Sequence, residues 1–477
     1  MSGVTQLCGG ERVRALRRLA FAALTLCMAH AHADDSPPAT ADDAARAAAA
    51  RPGPVSAAPE LLAAQYTFIE QRQGALASPY QGPLSLHPDG DRQATHTLGF
   101  YSGWAPRSWA QLYLDAEKFM GAGVSDATGL GGLTNGDVVR QGVTGLKKQF
   151  YIARLFARFM LPLSGEVGTV ARAQDQVAGT EALRRLELKV GQLSASDDFD
   201  RNAYANAART QFLNWSLWND TAWDFAANTR GYTDGVVAAY VGPAWSLRFG
   251  LYRMPLYANG QTMETLLRAR EENLELTLAP AGIGSVVRLL AYRNTARMGD
   301  YGQALAIAAA TGTVPNVAAN DREGRHKSGY GLNLEQPLAD GGDTGLFLRL
   351  GWQDGRTEDF AFTEVDRHAS VGGQLSGIHW ARGADRLGIG LVLEGLSDVH
   401  RAYLAAGGSG FLLGDGRLNY AREQILETYY RAQWEWSPGR IALRAQLTPD
   451  FQYIRNPGFN QDRGPVRFFA LRAHVEY

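Results

Sequence analysis

The sequence predicts an all-β fold: a transmembrane antiparallel up-and-down β-barrel of about sixteen strands, with short periplasmic turns and long extracellular loops. Three observations carry this expectation. They are an export leader, a period-two alternation with one continuous apolar face, and connections that alternate between short and long.

In the leader, Arg12, Arg14, Arg17 and Arg18 form a positive n-region, Leu19 to Met28 an apolar run, and Ala31-His32-Ala33 a small-residue cleavage site. Residues 1–33 therefore read as a signal peptide cleaved before Asp34, and a barrel exported this way is destined for the cell outer membrane. The apolar run is far below the roughly 20 residues of a spanning helix. Leu26 ahead of Cys27 is too bulky for lipoprotein processing. Both cysteines, Cys8 and Cys27, lie in the leader, so the mature chain has no thiol for disulfides, thiolate metal sites or nucleophilic catalysis. Removing the leader's four Arg and one Glu, net +3, takes the formal charge from −1 to −4. Such a chain offers nothing to nucleic acid. Residues 34–60, rich in Ala and Pro, read as a flexible periplasmic extension ahead of a barrel at 61–477.

Beyond the extension the period is two. Leu346, Leu348, Leu350 and Trp352 alternate with Phe347, Arg349 and Gly351; Leu387, Ile389, Leu391 and Leu393 alternate with Gly388, Gly390, Val392 and Glu394. Leu247, Phe249 and Leu251 alternate with Arg248, Gly250 and Tyr252, and Thr428 to Trp436 repeats the pattern against Glu427, Tyr429, Arg431, Gln433 and Glu435. A lipid-facing and a lumen-facing side produce this code. A soluble sandwich produces it too, with the apolar side inward. No mature segment reaches the length and apolarity of a spanning helix, so residence in a membrane requires a closed barrel. The abundant glycine (54) and 10% aromatics suit a barrel and a secreted β-enzyme alike.

The connections separate these alternatives. Tight turns are expected at Gly242-Pro243, Pro280-Ala281-Gly282, Asp340-Gly341-Gly342-Asp343, Arg382-Gly383-Ala384-Asp385 and Ser437-Pro438-Gly439. Long polar loops fall at 255–271, 295–326, 354–367, 396–424 and 449–465, one between each neighbouring pair of turns and one after the last. That parity predicts strands near 64–71, 95–104, 109–117, 148–158, 183–193, 234–241, 244–254, 272–279, 284–294, 328–338, 345–353, 369–381, 386–395, 425–437, 439–448 and 466–477. The count is even and both ends are periplasmic; the long periplasmic connection 159–182 alone breaks the rule. Such a barrel encloses a lumen too wide for side chains alone to fill. In the closing strand, Phe469, Leu471, Val475 and the terminal Tyr477 read as the signal recognised by the barrel assembly machinery.

Scattered motifs carry a family resemblance. They include Tyr66-Thr67-Phe68-Ile69, Ser78-Pro79-Tyr80-Gln81-Gly82, the run Asp198-Phe199-Asp200-Arg201-Asn202-Ala203-Tyr204-Ala205-Asn206, and Arg209-Thr210-Gln211-Phe212-Leu213-Asn214-Trp215. Further on come Asn333-Leu334-Glu335-Gln336, Ala405-Ala406-Gly407-Gly408, Gly414-Asp415-Gly416-Arg417-Leu418-Asn419-Tyr420, Asn456-Pro457-Gly458 and Asp462-Arg463-Gly464-Pro465-Val466. From about residue 60 onward the chain resembles the carbohydrate-selective porin family of Gram-negative bacteria. The resemblance implies a sixteen-stranded barrel passing monosaccharides and related small sugars by passive diffusion. The sequence departs from the family at 159–182 and at a polar, Ala-rich loop, 303–324.

A sugar offers hydroxyls to Arg and to Asp or Glu, and a C–H face to aromatic rings. Segment 194–233 concentrates these types and is expected to fold inward as a constriction. In it Arg201 and Arg209 would donate, Asp198 or Asp200 accept, Trp215 or Trp218 stack, and Asn202 contribute an amide. Glu187, Lys189, Arg248, Arg288, Arg349, Glu394, Arg431 and Arg444 occupy the polar face of strands and are expected to line the lumen. No enzyme is expected: the histidines have no nucleophile-elbow context, paired acids such as Glu364 and Asp366 stand two apart, and neither metal-ligand spacing nor cofactor motif is present. The expected partners are a small carbohydrate permeant, outer-membrane lipid and lipopolysaccharide. Monomer and homo-oligomer are both compatible with the sequence, and a non-conducting polysaccharide-binding barrel is the alternative function.

Overall fold

In the computed structural model, residues 59–138, 148–280, 282, 284–436 and 442–477 are described. The expected leader, the extension up to residue 58, Ala281 and the Ser437-Pro438-Gly439 turn lie outside the described residues.

The strands are β1 (Leu61–Gln73), β2 (Asp91–Arg107), β3 (Ala110–Gly121), β4 (Tyr151–Pro162), β5 (Val167–Val170), β6 (Gly179–Ala182), β7 (Arg185–Leu193), β8 (Thr233–Val241) and β9 (Trp245–Arg253). Then follow β10 (Arg270–Leu278), β11 (Val286–Met298), β12 (Arg322–Ala339), β13 (Thr344–Gln353), β14 (Arg367–Ser376), β15 (Arg386–Gly395), β16 (Glu423–Trp436), β17 (Leu443–Arg455) and β18 (Val466–Glu476). All but β5 and β6 form one closed antiparallel barrel in chain order, sixteen strands, sealed where β1 pairs with β18 from Gln65↔Glu476 to Gln73↔Phe468.

Closure leaves no sheet edge, and the two-residue repeat then decides what each face meets. On β3, Leu112 and Leu114 are 37% and 42% exposed while Tyr113 and Asp115 are buried. Apolar residues outside and polar ones inside are the reverse of a soluble domain, and lipid is the solvent that permits it. Trp109, Trp245, Trp434, Trp436 and Tyr477 are exposed at the periplasmic strand ends, where amphipathic rings belong at a membrane interface. In β18, Phe469, Leu471 and Val475, with Tyr477 just beyond it, point outward, while Phe468, Arg472 and His474 are buried on the lumen side.

Four expectations need correction. Strand β17 runs on to Arg455, absorbing the start of the expected 449–465 loop, because Phe451, Tyr453 and Ile454 keep pairing with β18. Residues 377–380 form a tight 3-10 turn capped by Ser376 rather than the end of a strand. The Ala-rich 303–324 loop contains a helix, Tyr301–Thr311, capped by Asp300 and stopped by Gly312 at φ 68°. Finally, 163–184 is not an open connection: β4 extends to Pro162 and the rest folds as the β5–β6 hairpin.

Candidate functional site

Loop 194–232 leaves β7 and turns into the lumen. Irregular chain there carries main-chain N–H groups without strand partners, and they must be satisfied. Wall carboxylates accept them. Glu275 takes the N–H of Asp200 at 2.8 Å, Glu335 that of Ala203 at 2.7 Å, Glu427 those of Leu213 and Asn214 at 2.5 and 2.9 Å, and Glu271 that of Ala226 at 2.7 Å. Arg349 does the converse for carbonyls. Its Nη1 donates to Leu217 O at 2.8 Å, its Nη2 to Ala205 O at 2.7 Å and Asp200 O at 3.1 Å, and its Nε to both carboxylate oxygens of Asp200 at 3.0 Å. Asp220 rests on a glycine pair: Gly331 and Gly351 face each other across β12 and β13, and a Cβ at Gly351 would come within 2.0 Å of Asp220 Oδ1. Burial lifts the Asp220 carboxyl to about 6, with Asp200 adding to the effect and His368 opposing it.

The loop leaves a cavity of about 950 Å³ against β3, β4, β7 and β16–β18, within the roughly 300–1,000 Å³ typical of small-molecule sites. Its wall is a set of ion pairs. Arg154 binds Asp197 at 2.6 and 2.8 Å and Asp115 at 3.1 Å. Arg158 meets Glu181 and, at 2.7 Å, Glu187; Lys189 meets Asp198 at 2.6 Å. Arg209 donates to Glu117 at 2.9 Å, Asp137 at 3.0 Å and the Tyr101 hydroxyl at 3.2 Å. At Asp197, burial works against ionisation, but the Arg154 guanidinium prevails and holds the carboxyl below its usual range. Trp215 and Trp218 lie with ring centroids 4.4 Å apart, Trp215 packing on Phe362 at 4.8 Å.

The structure thus gathers Asp198, Arg201, Arg209, Trp215 and Trp218 around one cavity with Glu187, Lys189, Arg248, Arg431 and Arg444. The tryptophans are only 6% and 9% exposed, so most of their ring surface is committed to packing. Five expected residues are not on that surface. Asp200 is the buried partner of Arg349, and Asn202 donates to Asn333 Oδ1 at 2.7 Å. Arg349 and Glu394 point inward, as the alternation requires, but the loop covers them; Glu394 accepts from Thr221 Oγ1 at 2.5 Å. Arg288 pairs with Glu335 at 3.4 Å, off the cavity lining. Alternation gives the direction of a side chain, not whether a loop lies over it.

Two features escaped the sequence reading. Ala173–Gln176, the tip of the β5–β6 hairpin, also lines the cavity. Val177 N–H donates to Tyr113 Oη at 3.2 Å, and its side chain enters a notch where a Cβ on Gly103 would lie 3.0 Å from Val177 Cγ2. Arg172 donates to Leu62 O at 2.5 Å, and Glu181 pairs with both Arg158 and Arg185. The charges flanking 159–182 were the available signal. The other feature is a buried cluster of Asp359, Asp366 and His400, whose donor atoms lie within 4.8 Å of one another, a spacing no local motif contains. Lys327 already supplies a cation there, pairing with Asp359 and, at 2.9 Å, with Asp224.

The family model described as "Carbohydrate-selective porin, OprB family" matches residues 121–477. No curated protein matches the sequence. Among solved structures, OprB of Pseudomonas putida at high pH is similar at 15% identity and a TM-score of 0.62, covering 88% of this chain and 94% of that one. The outer-membrane channel DcaP of Acinetobacter baumannii is similar at 10% identity and a TM-score of 0.44, over 87% of this chain and 96% of that one. At 15% identity the first likeness speaks for the fold, and the family match over most of the chain speaks for the kind of channel. The chain belongs to the OprB family of carbohydrate-selective porins, channels of the outer membrane through which sugars diffuse.

Proposed function

We propose that the chain is exported by its N-terminal leader to a Gram-negative outer membrane and there passes small carbohydrates passively, with the constriction formed by loop 194–232. The observation that carries this reading is the cavity itself, where guanidinium and carboxylate groups stand beside aromatic rings around a polar space of about 950 Å³. Arg201 and Arg209 donate to sugar hydroxyls, Asp198 accepts, and the exposed parts of Trp215 and Trp218 meet the C–H face. Binding is weak by design, since a permeant must leave as readily as it enters. No covalent step is assigned to any residue. The outward row Phe469, Leu471, Val475 and Tyr477 serves barrel assembly.

Single-channel conductance of the refolded mature protein, titrated with glucose and a disaccharide, tests the proposal. Stable steps that glucose blocks saturably are expected. Folded, heat-modifiable protein with no conductance would transfer the function to a non-conducting polysaccharide-binding barrel.

A further inference from the structure

Most cations around the cavity are matched by a carboxylate, and two that are not stand side by side on one wall. Arg431 on β16 donates from Nη1 to Thr210 O at 3.1 Å, and its Nε has no partner among the described residues. Arg472 on β18 donates from Nη1 to Ala208 O at 2.6 Å, and its Nε and Nη2 have none among the described residues, although the residue is only 1% exposed. The register puts them in one row. Tyr429 pairs with Asp450 and Ala432 with Leu447, which sets Arg431 level with Thr448, and Thr448 pairs with Arg472. The Thr448 hydroxyl between them is also buried and without a partner among the described residues. Asp450, two residues along β17 on the same face, accepts from Gln452 Nε2 at 3.3 Å and has no hydrogen bond from either guanidinium among the described residues. Arg386, next in the row beyond Arg431, is spent on Asp343 at 2.6 Å. Arg431 lines the cavity together with Thr210, Gln433, Gln446 and His474.

Unmatched guanidiniums out of bulk water are costly, and positive charge left uncancelled beside a polar cavity attracts an anion. We propose that Arg431, with Arg472 behind it, forms an anion subsite of the lumen, and that the preferred permeant is an acidic monosaccharide bearing a carboxylate or a phosphate. Arg431 is the contact residue; Arg472 adds positive potential from beneath loop 194–232. Across the cavity, Arg201 donates to Asp197 O at 3.3 Å and to nothing else among the described residues, and Arg248 stands 4.0 Å from Glu275, so the approach is also weakly neutralised. This inference rests on the porin reading.

The test uses the whole mature protein in a planar bilayer, with block constants measured for glucose, glucuronate and glucose 6-phosphate. Glucuronate is expected to block about tenfold more tightly than glucose, the worth of one charge-assisted hydrogen bond. In Arg431→Gln the ratio is expected to fall to within about twofold of unity, with Arg431→Lys intermediate because it keeps the charge and loses the fork. A glucose 6-phosphate block that matches or exceeds that of glucuronate assigns the subsite to phosphate rather than carboxylate. Equal block by glucose and both acids in the wild-type channel overturns the subsite while leaving the porin reading intact. An unchanged ratio in folded Arg431→Gln overturns it equally, and absence of any conductance fails the porin reading itself.

Discussion

Arg349 is the residue on which the seating of loop 194–232 can be weighed, because one guanidinium holds the loop at Asp200, Ala205 and Leu217. Arg349→Met keeps much of the side chain's length and deletes the fork. Asp200 then retains its bonds from Asn333 Nδ2 at 2.6 Å and the Asp220 N–H at 2.8 Å, but loses its cation. Breaking a buried pair from one side costs about 3–5 kcal/mol, which raises the unseated fraction of the loop by roughly two to four powers of ten. The strand itself is spared, since Arg349 keeps its main-chain pairing with Asn333 and Ser370. Single-channel records of the variant should show flicker to a larger conductance, and its heat-modifiable band should convert at a lower temperature. Asp200→Asn combined with Arg349→Met should recover much of the loss, because no uncompensated carboxylate then remains. Wild-type noise and melting in Arg349→Met, or a double variant as impaired as the two single effects added, would refute the reasoning.

The hairpin and the loop make further expectations. Gly103→Val fills the notch that receives Val177, where even a Cβ meets Tyr113 at 2.8 Å; the overpacking should cost about 1–3 kcal/mol, displace the hairpin tip and raise conductance. Unchanged conductance in a folded variant would place the tip outside the permeation path. The Asp220 carboxyl titrates near 6, above its ordinary 3.8, so its contribution to seating is full below pH 4 and lost as pH rises through 6. Opening events should therefore become more frequent from pH 4 to pH 8, by up to about 3 kcal/mol in the seating equilibrium, and Asp220→Asn should flatten the profile; an equally steep profile in the variant assigns the titration elsewhere.

The barrel was legible because its code is local. Each Leu of Leu346–Trp352 needs only its own parity to be assigned to lipid, and each tight turn needs only a few residues. The cavity was legible in part. Arg201, Arg209 and Trp215 share one segment, so the inward loop and its charged lining could be anticipated together. What was not legible depends on contacts between distant segments. Arg349 and Glu394 obey the same inward parity as Arg431, yet two are covered and one faces the cavity, a difference set by where residues 194–232 lie down. The same holds for Asp359, Asp366 and His400, which are joined across two loops, and for Val177, whose notch at Gly103 is a missing side chain on another strand.

Folding irregular chain into a water-filled lumen creates an asymmetry of charge. Main-chain N–H groups are donors with fixed positions, and the wall meets them with carboxylates at Glu271, Glu275, Glu335 and Glu427. Two of those carboxylates also meet a cation, Glu335 that of Arg288 at 3.4 Å and Glu275 that of Arg248 at 4.0 Å, so part of their charge goes to the loop rather than to the wall arginines. Loop carbonyls are met by arginines, but a carbonyl occupies one N–H of a five-donor guanidinium and cancels no charge. Arg431 and Arg472 do this for Thr210 and Ala208 and keep both their charge and their remaining donors. A constriction whose N–H groups rest on wall acids and whose carbonyls rest on wall arginines is therefore positive where the arginines stand. The selectivity expected at Arg431 is a consequence of how the loop is anchored.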